Sequence, residues 1–227
     1  MVLDRATRIL AIRHGETAWN VDTRIQGQLD VPLNDTGRWQ AQRLAHALAD
    51  EGLHAIYASD LQRAHETAQV LARRVGHRIV VDSGLRERGF GAFEGFTWKE
   101  IEERWPDESL RWRQRDVEFA PAGGESLRQF YARSVDTATR LAAAHPGETI
   151  ALVAHGGVMD CLYRAAARIS LHAPRSWQLG NASINRLLYT AQGFTLVGWS
   201  DTLHLDDGSR DESNDRPASP DRVGSAA

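Results

Sequence analysis

The sequence predicts an α/β fold: a mostly parallel central sheet with helices on both faces, an antiparallel edge and a small helical cap. Three observations carry this. Short apolar runs alternate with amphipathic helical stretches, the pattern of strands joined by helical crossovers. Thr149 to Ala154 lacks polar alternation, as a strand buried on both faces does. Asn185 to Tyr189 and Phe194 to Trp199 flank Thr190-Ala191-Gln192-Gly193 and read as a terminal hairpin at the sheet edge.

Taken in order, Ile9 to Ile12 is the first strand and ends abruptly at a charged, glycine-containing segment. Asn34, Asp35 and Thr36 offer capping oxygens to a helix whose Ala41, Leu44, Ala45 and Leu48 recur at helical spacing, with Gly52 closing it. Ala55 to Ala58 is the second strand. Asp60 opens a second helix with Ala64, Ala68, Leu71 and Val75 on one stripe, stopped by Gly76, and Ile79 to Val81 is the third strand. The Trp-rich stretch between Gly95 and Gly123, with Trp98, Ile101, Trp105 and Trp112, reads as a cap of one helix plus irregular chain. A long helix from Glu125 to His145 turns Leu127, Phe130, Tyr131, Ala138, Leu141 and Ala142 inward and stops at Pro146-Gly147. Val158 to Arg168 is helical after the strand ending at Ala154. From Leu205 the chain turns acidic and Ser-rich, so residues 205–227 are expected to form a flexible tail.

Of 227 residues, 42% are hydrophobic and 25% charged, a globular composition able to fill one sizeable core. A formal net charge of −3 offers no general attraction to polyanions, so neither nucleic acid nor an acidic membrane surface is the expected partner. No run approaches the roughly 18 apolar residues of a membrane span, and Met1 to Arg8 reads neither as a signal peptide nor as an anchor. Cys161 stands alone, which excludes an intramolecular disulfide and a thiolate zinc site and fits a reducing cytoplasm. As a side chain it reads as a buried helix residue.

The polar clusters follow strands. Arg13, His14, Gly15, Glu16 and Thr17 form RHGET, with Asn20 close behind. An imidazole is nucleophilic near neutral pH and a guanidinium grips phosphate oxygens with two N–H groups, so this pair suits attack on a phosphoryl group. An isolated Arg-His pair would more often only shape a loop. Arg63, near the start of the helix after the second strand, offers a second guanidinium, which phosphoryl transfer uses to neutralise equatorial oxygens. His155 in LVAHGG adds an imidazole where two glycines lead into a helix, whose amino end favours anions. Parallel strands share a carboxyl edge, where all three segments would meet. In LRERGFGAFEG both Glu87 and Glu94 are candidates for protonating the leaving alkoxide, and residue chemistry does not choose between them. Neighbouring cations favour the ionised carboxylate, whereas a bound phosphate dianion favours the protonated acid.

RHGETAWN, RIQGQLDVPLNDTGRWQAQRLA, SDLQRAHETA, LRERGFGAFEG, GGESL, VAHGG and NASI follow one another from about Ile9 to Trp199. In this order they resemble the histidine phosphatase superfamily, in the branch containing cofactor-dependent phosphoglycerate mutases and related small-molecule phosphatases. The resemblance implies an α/β sandwich spanning residues 1–204 as a single domain, with a cap insertion at 96–122, no metal and no cofactor. It implies that His14 is transiently phosphorylated, that Arg13, Arg63 and His155 form the phosphate pocket, and that Glu87 donates the proton. Asn20, Gln26, Gly27 and Gly156 align with substrate or phosphate contacts, although the mutases typically carry threonine where this chain has Gln26.

The branch contains hydrolases and mutases, which differ in whether water reaches the phosphoenzyme. A mutase typically shields it with a longer insertion than Phe96 to Ala122, which favours hydrolysis of small-molecule phosphomonoesters here. Against this, Arg111, Arg113 and Arg115 either recognise a second anionic group or form a solvated helix face. A mutase and a non-catalytic phosphate-ligand binder on the same fold are the alternatives. The sequence leaves open the natural substrate, the oligomeric state (a homodimer among the options), and whether Trp98, Trp105 and Trp112 shape the pocket or only pack the cap.

Overall fold

A computed structural model describes residues 5–206. Its strands are β1 (Thr7–Arg13), β2 (Ala55–Ala58), β3 (Ile79–Val81), β4 (Thr149–Ala154), β5 (Ile184–Thr190) and β6 (Gly193–Asp201). They form one sheet in the order β3-β2-β4-β1-β5-β6. The first four strands of that order run parallel, and β5 and β6 form the antiparallel edge.

The period of two along each strand sends alternate residues to opposite layers. On one face Ile9, Ala11, Ile150 and Leu152 pack with Phe130, Leu141 and Met159 of α6 (Leu127–Ala143) and α7 (Gly156–Ala167). On the other, Leu10, Ile12, Ala151 and Val153 meet Leu44 and Leu48 beside α2 (Asp35–Ala47), with Ala68 and Leu71 of α3 (Gln62–Val75). All six residues of β4 are buried, as its unalternating sequence predicts. Each fully buried aliphatic side chain contributes about 1.5–3 kcal/mol, so this central strand is a major anchor of the fold. Cys161 sits in the same core, where burial pushes its thiol pKa up.

Several boundaries differ from expectation, each for a local reason. The first long helix stops at Ala47 and is capped by Leu48; Gly52 instead supplies a left-handed turn at φ +60° ahead of β2. Asp60 does not cap α3, because its carboxylate is engaged by Arg86, and Leu61 takes the cap position without a side-chain bond. The cap is two helices, α4 (Trp98–Arg104) and α5 (Pro106–Arg113). A proline at the first position of α5 breaks the run at Trp105. α6 is shorter than predicted, since Ser126 and Gln129 form a reciprocal capping box at its start. Conversely α7 begins two residues early, at Gly156. One further short helix, α1 (Ala18–Val21), follows β1 and is capped by Thr17 and Asn20.

The cap has its own small core of Phe93, Ile101 and Phe119, with Trp105 tilted and Trp112 edge-on against Phe93 at ring-centroid distances of 5.4 and 6.4 Å. A short 3-10 turn at Leu203–Leu205 is tied to α2, Arg43 Nε donating to His204 O at 2.9 Å. The greater part of the expected tail, residues 207–227, lies outside the described residues. No helix among the described residues is long and apolar enough to cross a membrane.

Candidate active site

Strand register assembles the site. Arg13 stands opposite Ala154 and Ala58 opposite Val153, so the residues that follow, His14, Ser59 and His155, leave adjacent strands at one edge. The backbone continues the ladder there: His14 N donates to Ala154 O at 3.0 Å and Ser59 N to Val153 O at 3.0 Å. The His14 and His155 ring centroids are 5.3 Å apart.

His14 is 3% exposed, and its Nδ1 lies 2.6 Å from Gly15 O. A carbonyl oxygen only accepts, so Nδ1 holds the proton and the lone pair of the neutral ring resides on Nε2. The backbone of His14 is pinned as well. Its carbonyl accepts from Ala182 N and from Asn181 Nδ2, both at 3.1 Å. Ala182 holds φ +53°, a strained value for a residue with a side chain, of the kind that persists where surrounding structure over-determines it.

Arg63 is 1% exposed, with Nη1 and Nη2 donating to Leu29 O at 2.9 Å and Gly27 O at 2.7 Å. Arg13 donates from Nη1 to Leu179 O at 2.7 Å. The Nε–H groups of both arginines are buried without a partner, as is Nδ1 of His155, whose Nε2 lies 2.9 Å from Ser59 Oγ. Burial lowers the Arg63 pKa to about 10, which leaves it a cation at neutral pH, and lowers that of Arg13 too. Burial, then the Arg63 and Arg13 charges, holds His14 well below the usual histidine range; burial and Arg63 act likewise on His155.

This has a consequence for stability. The unfolded chain accepts protons on these two imidazoles below about pH 6.5 while the folded chain refuses them. Their contribution to stability is therefore complete above that pH and is lost as pH falls toward the folded-state values. The urea midpoint is expected to decline between about pH 7 and pH 5, before the carboxylates titrate, and to decline less in a His155→Gln variant. A flat midpoint across that window would contradict the depressed histidines.

The two glutamates separate clearly. Glu87 accepts from Arg88 N at 2.8 Å and from Gly157 N, at the start of α7, at 2.9 Å. A Cβ on Gly157 would stand 2.1 Å from Glu87 Oε1, so a side chain there would displace the carboxylate from this position. Glu87, Gly156 and Gly157 line a cavity of about 210 Å³. Glu94 instead accepts from Gln28 N and Phe90 N, both at 2.9 Å, and braces the two loops it joins.

Of the remaining expected contacts, Gly156 starts α7 beside the Arg13 guanidinium. Gly27 turns at φ +53° and presents its carbonyl to Arg63. Gln26 is 9% exposed, with Oε1 buried and unpartnered. Asn20 spends its side-chain oxygen on Thr17 and on Asn181 Nδ2 at 3.1 Å, leaving its own Nδ2 uncommitted. Arg111 and Arg113 pair with Asp116 and Glu102, whereas Arg115 borders the cavity. Trp112 lines it too, and Trp105 packs the cap.

Sequence reasoning missed three supports. Thr67 Oγ1 donates to Arg63 O and accepts from Gly15 N, linking α3 to the His14 loop. Ser59 orients His155, and Asn181 ties His14 to Asn20. The strings SDLQRAHETA and NASI contain all three, but neither spacing nor residue type marks them as supports. Among the described residues no group of three or more His, Cys, Asp or Glu is disposed to hold a metal ion.

A tautomerically defined imidazole among guanidiniums, at the carboxyl edge of a parallel sheet, marks a phosphate-handling enzyme. The chain belongs to the histidine phosphatase superfamily (branch 1), whose family model matches residues 9–202. It is 39% identical over 204 residues to phosphoglycerate mutase-like protein 4 of Arabidopsis thaliana, covering 88% of this chain and 87% of the relative. It is 38% identical over 208 residues to the metal-independent phosphoserine phosphatase of Arabidopsis thaliana, covering 90% and 85%. The solved mycobacterial glucosyl-3-phosphoglycerate phosphatase complexed with VO3 matches with a TM-score of 0.77 at 35% identity, over 86% of this chain and 99% of that one.

Proposed function

We propose that this chain hydrolyses small-molecule phosphomonoesters through a phosphohistidine on His14, without a metal. One observation carries the reading: two buried donors, Arg13 Nε and Arg63 Nε, and the buried ring nitrogen His155 Nδ1 lack partners around a neutral imidazole. A buried donor left unsatisfied costs about 1–3 kcal/mol, and a phosphoryl group has three oxygens to receive them. His14 Nε2 attacks phosphorus as the ester P–O bond breaks, and Glu87 gives its proton to the departing oxygen. Glu87 then takes a proton from water as that water attacks the phosphohistidine, the N–P bond breaks, and phosphate leaves.

Two of the three relatives named above are phosphatases, and the cap of only two short helices favours access of water over retention of the phosphoryl group. A continuous sheet from β1 to β6 supports reading residues 1–204 as one domain with 96–122 as its cap. The single cysteine, Cys161, fits a cytoplasmic setting.

Rapid quenching with a labelled phosphomonoester in EDTA is expected to trap an acid-labile, alkali-stable adduct on His14. An adduct on a serine would redirect the mechanism. Isomerisation of phosphoglycerate that depends on 2,3-bisphosphoglycerate, outpacing hydrolysis, would establish the mutase reading instead.

A further inference from the structure

The Glu87 carboxylate is aimed by its own backbone. Its hydrogen bonds come from the N–H groups of Arg88 and Gly157, and no arginine side chain among the described residues bonds it. Where its oxygens lie therefore depends on how the surrounding chain is held. Residues 86–90 belong to no helix or strand, so no regular ladder fixes them.

One side chain of α6 takes the place of that ladder. Arg133 Nη1 donates to Gly84 O at 2.9 Å and Arg86 O at 3.0 Å, and Nη2 to Glu87 O at 3.2 Å and Glu125 Oε2 at 2.7 Å. Its Nε donates to Glu125 Oε1 at 2.8 Å, so every N–H of the guanidinium is engaged. Glu125 holds the chain on the other side of the acid. Its Oε2 accepts from Gly89 N at 2.8 Å, its own N–H donates to Gly89 O at 2.7 Å, and its carbonyl takes Arg88 Nε at 2.9 Å. One partly buried ion pair thus fixes the backbone before and after Glu87. Phe130, one turn earlier on α6, lies under the guanidinium at 5.2 Å, and a Cβ on Gly157 would stand 2.9 Å from its ring. The same helix therefore braces both the backbone of the acid and the helix start that receives its carboxylate. With no N–H left over, Arg133 has nothing to offer a substrate directly.

We propose that Arg133 and Glu125 are positioning residues for the general acid, the planar fork of Arg133 holding the Glu87 backbone so that the carboxylate reaches the leaving oxygen. Proton transfer requires heavy atoms about 2.6–3.2 Å apart, and a misplacement of about 1 Å costs about 100-fold in rate. A lysine presents three donors from a single point and cannot span three carbonyls and a carboxylate at once. The inference rests on the phosphatase reading above, with Glu87 as its acid, and adds two residues to that site.

Benzyl phosphate and p-nitrophenyl phosphate are similar in size but release an alkoxide and a phenolate. Arg133→Gln is expected to lower kcat on benzyl phosphate by about 30- to 100-fold with KM within about 3-fold, and kcat on p-nitrophenyl phosphate by less than about 5-fold. Glu125→Gln keeps a carbonyl oxygen for Gly89 N–H and is expected to show the same pattern at about 3- to 10-fold. Arg133→Lys should recover less than about one tenth of native turnover on benzyl phosphate. In a Glu87→Gln background the Arg133→Gln change is expected to cost less than about 3-fold, because no acid is left to aim. A second readout needs no turnover. Gly157 lies in the first turn of α7, where its N–H has no partner within the helix and bonds Glu87. Its amide hydrogen exchange is expected to quicken by about 10-fold in Arg133→Gln, while that of Met159, bonded to His155 O, is retained. Full rescue by lysine, a benzyl phosphate loss that persists undiminished in the Glu87→Gln background, or an unchanged Gly157 exchange rate in Arg133→Gln each overturns the inference. A native chain that turns over neither probe, with the Gly157 response as expected, sinks the phosphatase reading alone.

Discussion

Replacing His14 with alanine is expected to lower turnover of p-nitrophenyl phosphate by about 10⁴-fold or more, as loss of a covalent nucleophile does. The side chain has no evident substitute. His155 has its Nε2 held by Ser59, and it is itself buried among the same arginines. Because Arg13, Arg63 and His155 remain, the variant is expected to retain inorganic phosphate binding while losing both turnover and the phosphorylated adduct. That split separates a missing nucleophile from a collapsed pocket. Equal rates for native protein and variant would remove His14 from the mechanism altogether.

The second large effect concerns leaving groups. Glu87→Gln is expected to lose about 10²- to 10⁴-fold on alkyl phosphates, whose alkoxides need a proton, and far less on p-nitrophenyl phosphate, whose phenolate departs unaided. Glu94→Gln should behave differently, because Glu94 holds the backbone of Gln28 and Phe90 and does not line the cavity that Glu87 borders. Its cost is expected in thermal stability, with similar proportional changes on both substrate types. A flat loss for Glu87→Gln across leaving groups would contradict its role as the acid, and a leaving-group-dependent loss for Glu94→Gln would transfer that role.

Much of this was legible before any coordinates. β2, β3 and β4 occupy the predicted residues, because a short apolar run between glycines and helical stretches has few other ways to bury itself. Helix ends were less legible where a side chain had a stronger competing partner. Asp60 looks like a cap in the sequence, yet Arg86, distant in the chain, engages it. The cap region reads in the sequence as one helix plus irregular chain, whereas Pro106 starts a second helix there.

The sequence by itself determined the alternation of strands and helices, the segments carrying His14, Arg63 and His155, and their common position after strands, because these follow from hydrophobic period and local chemistry. Only the tertiary structure decided which groups act on one another. The register of β1 and β2 on β4 brings His14, Ser59 and His155 together. The start of α7 receives Glu87 rather than Glu94. Of the three cap arginines, Arg111 and Arg113 find carboxylates and Arg115 does not. Such choices depend on side chains distant in sequence competing for the same few partners, and residue order carries no measure of that competition.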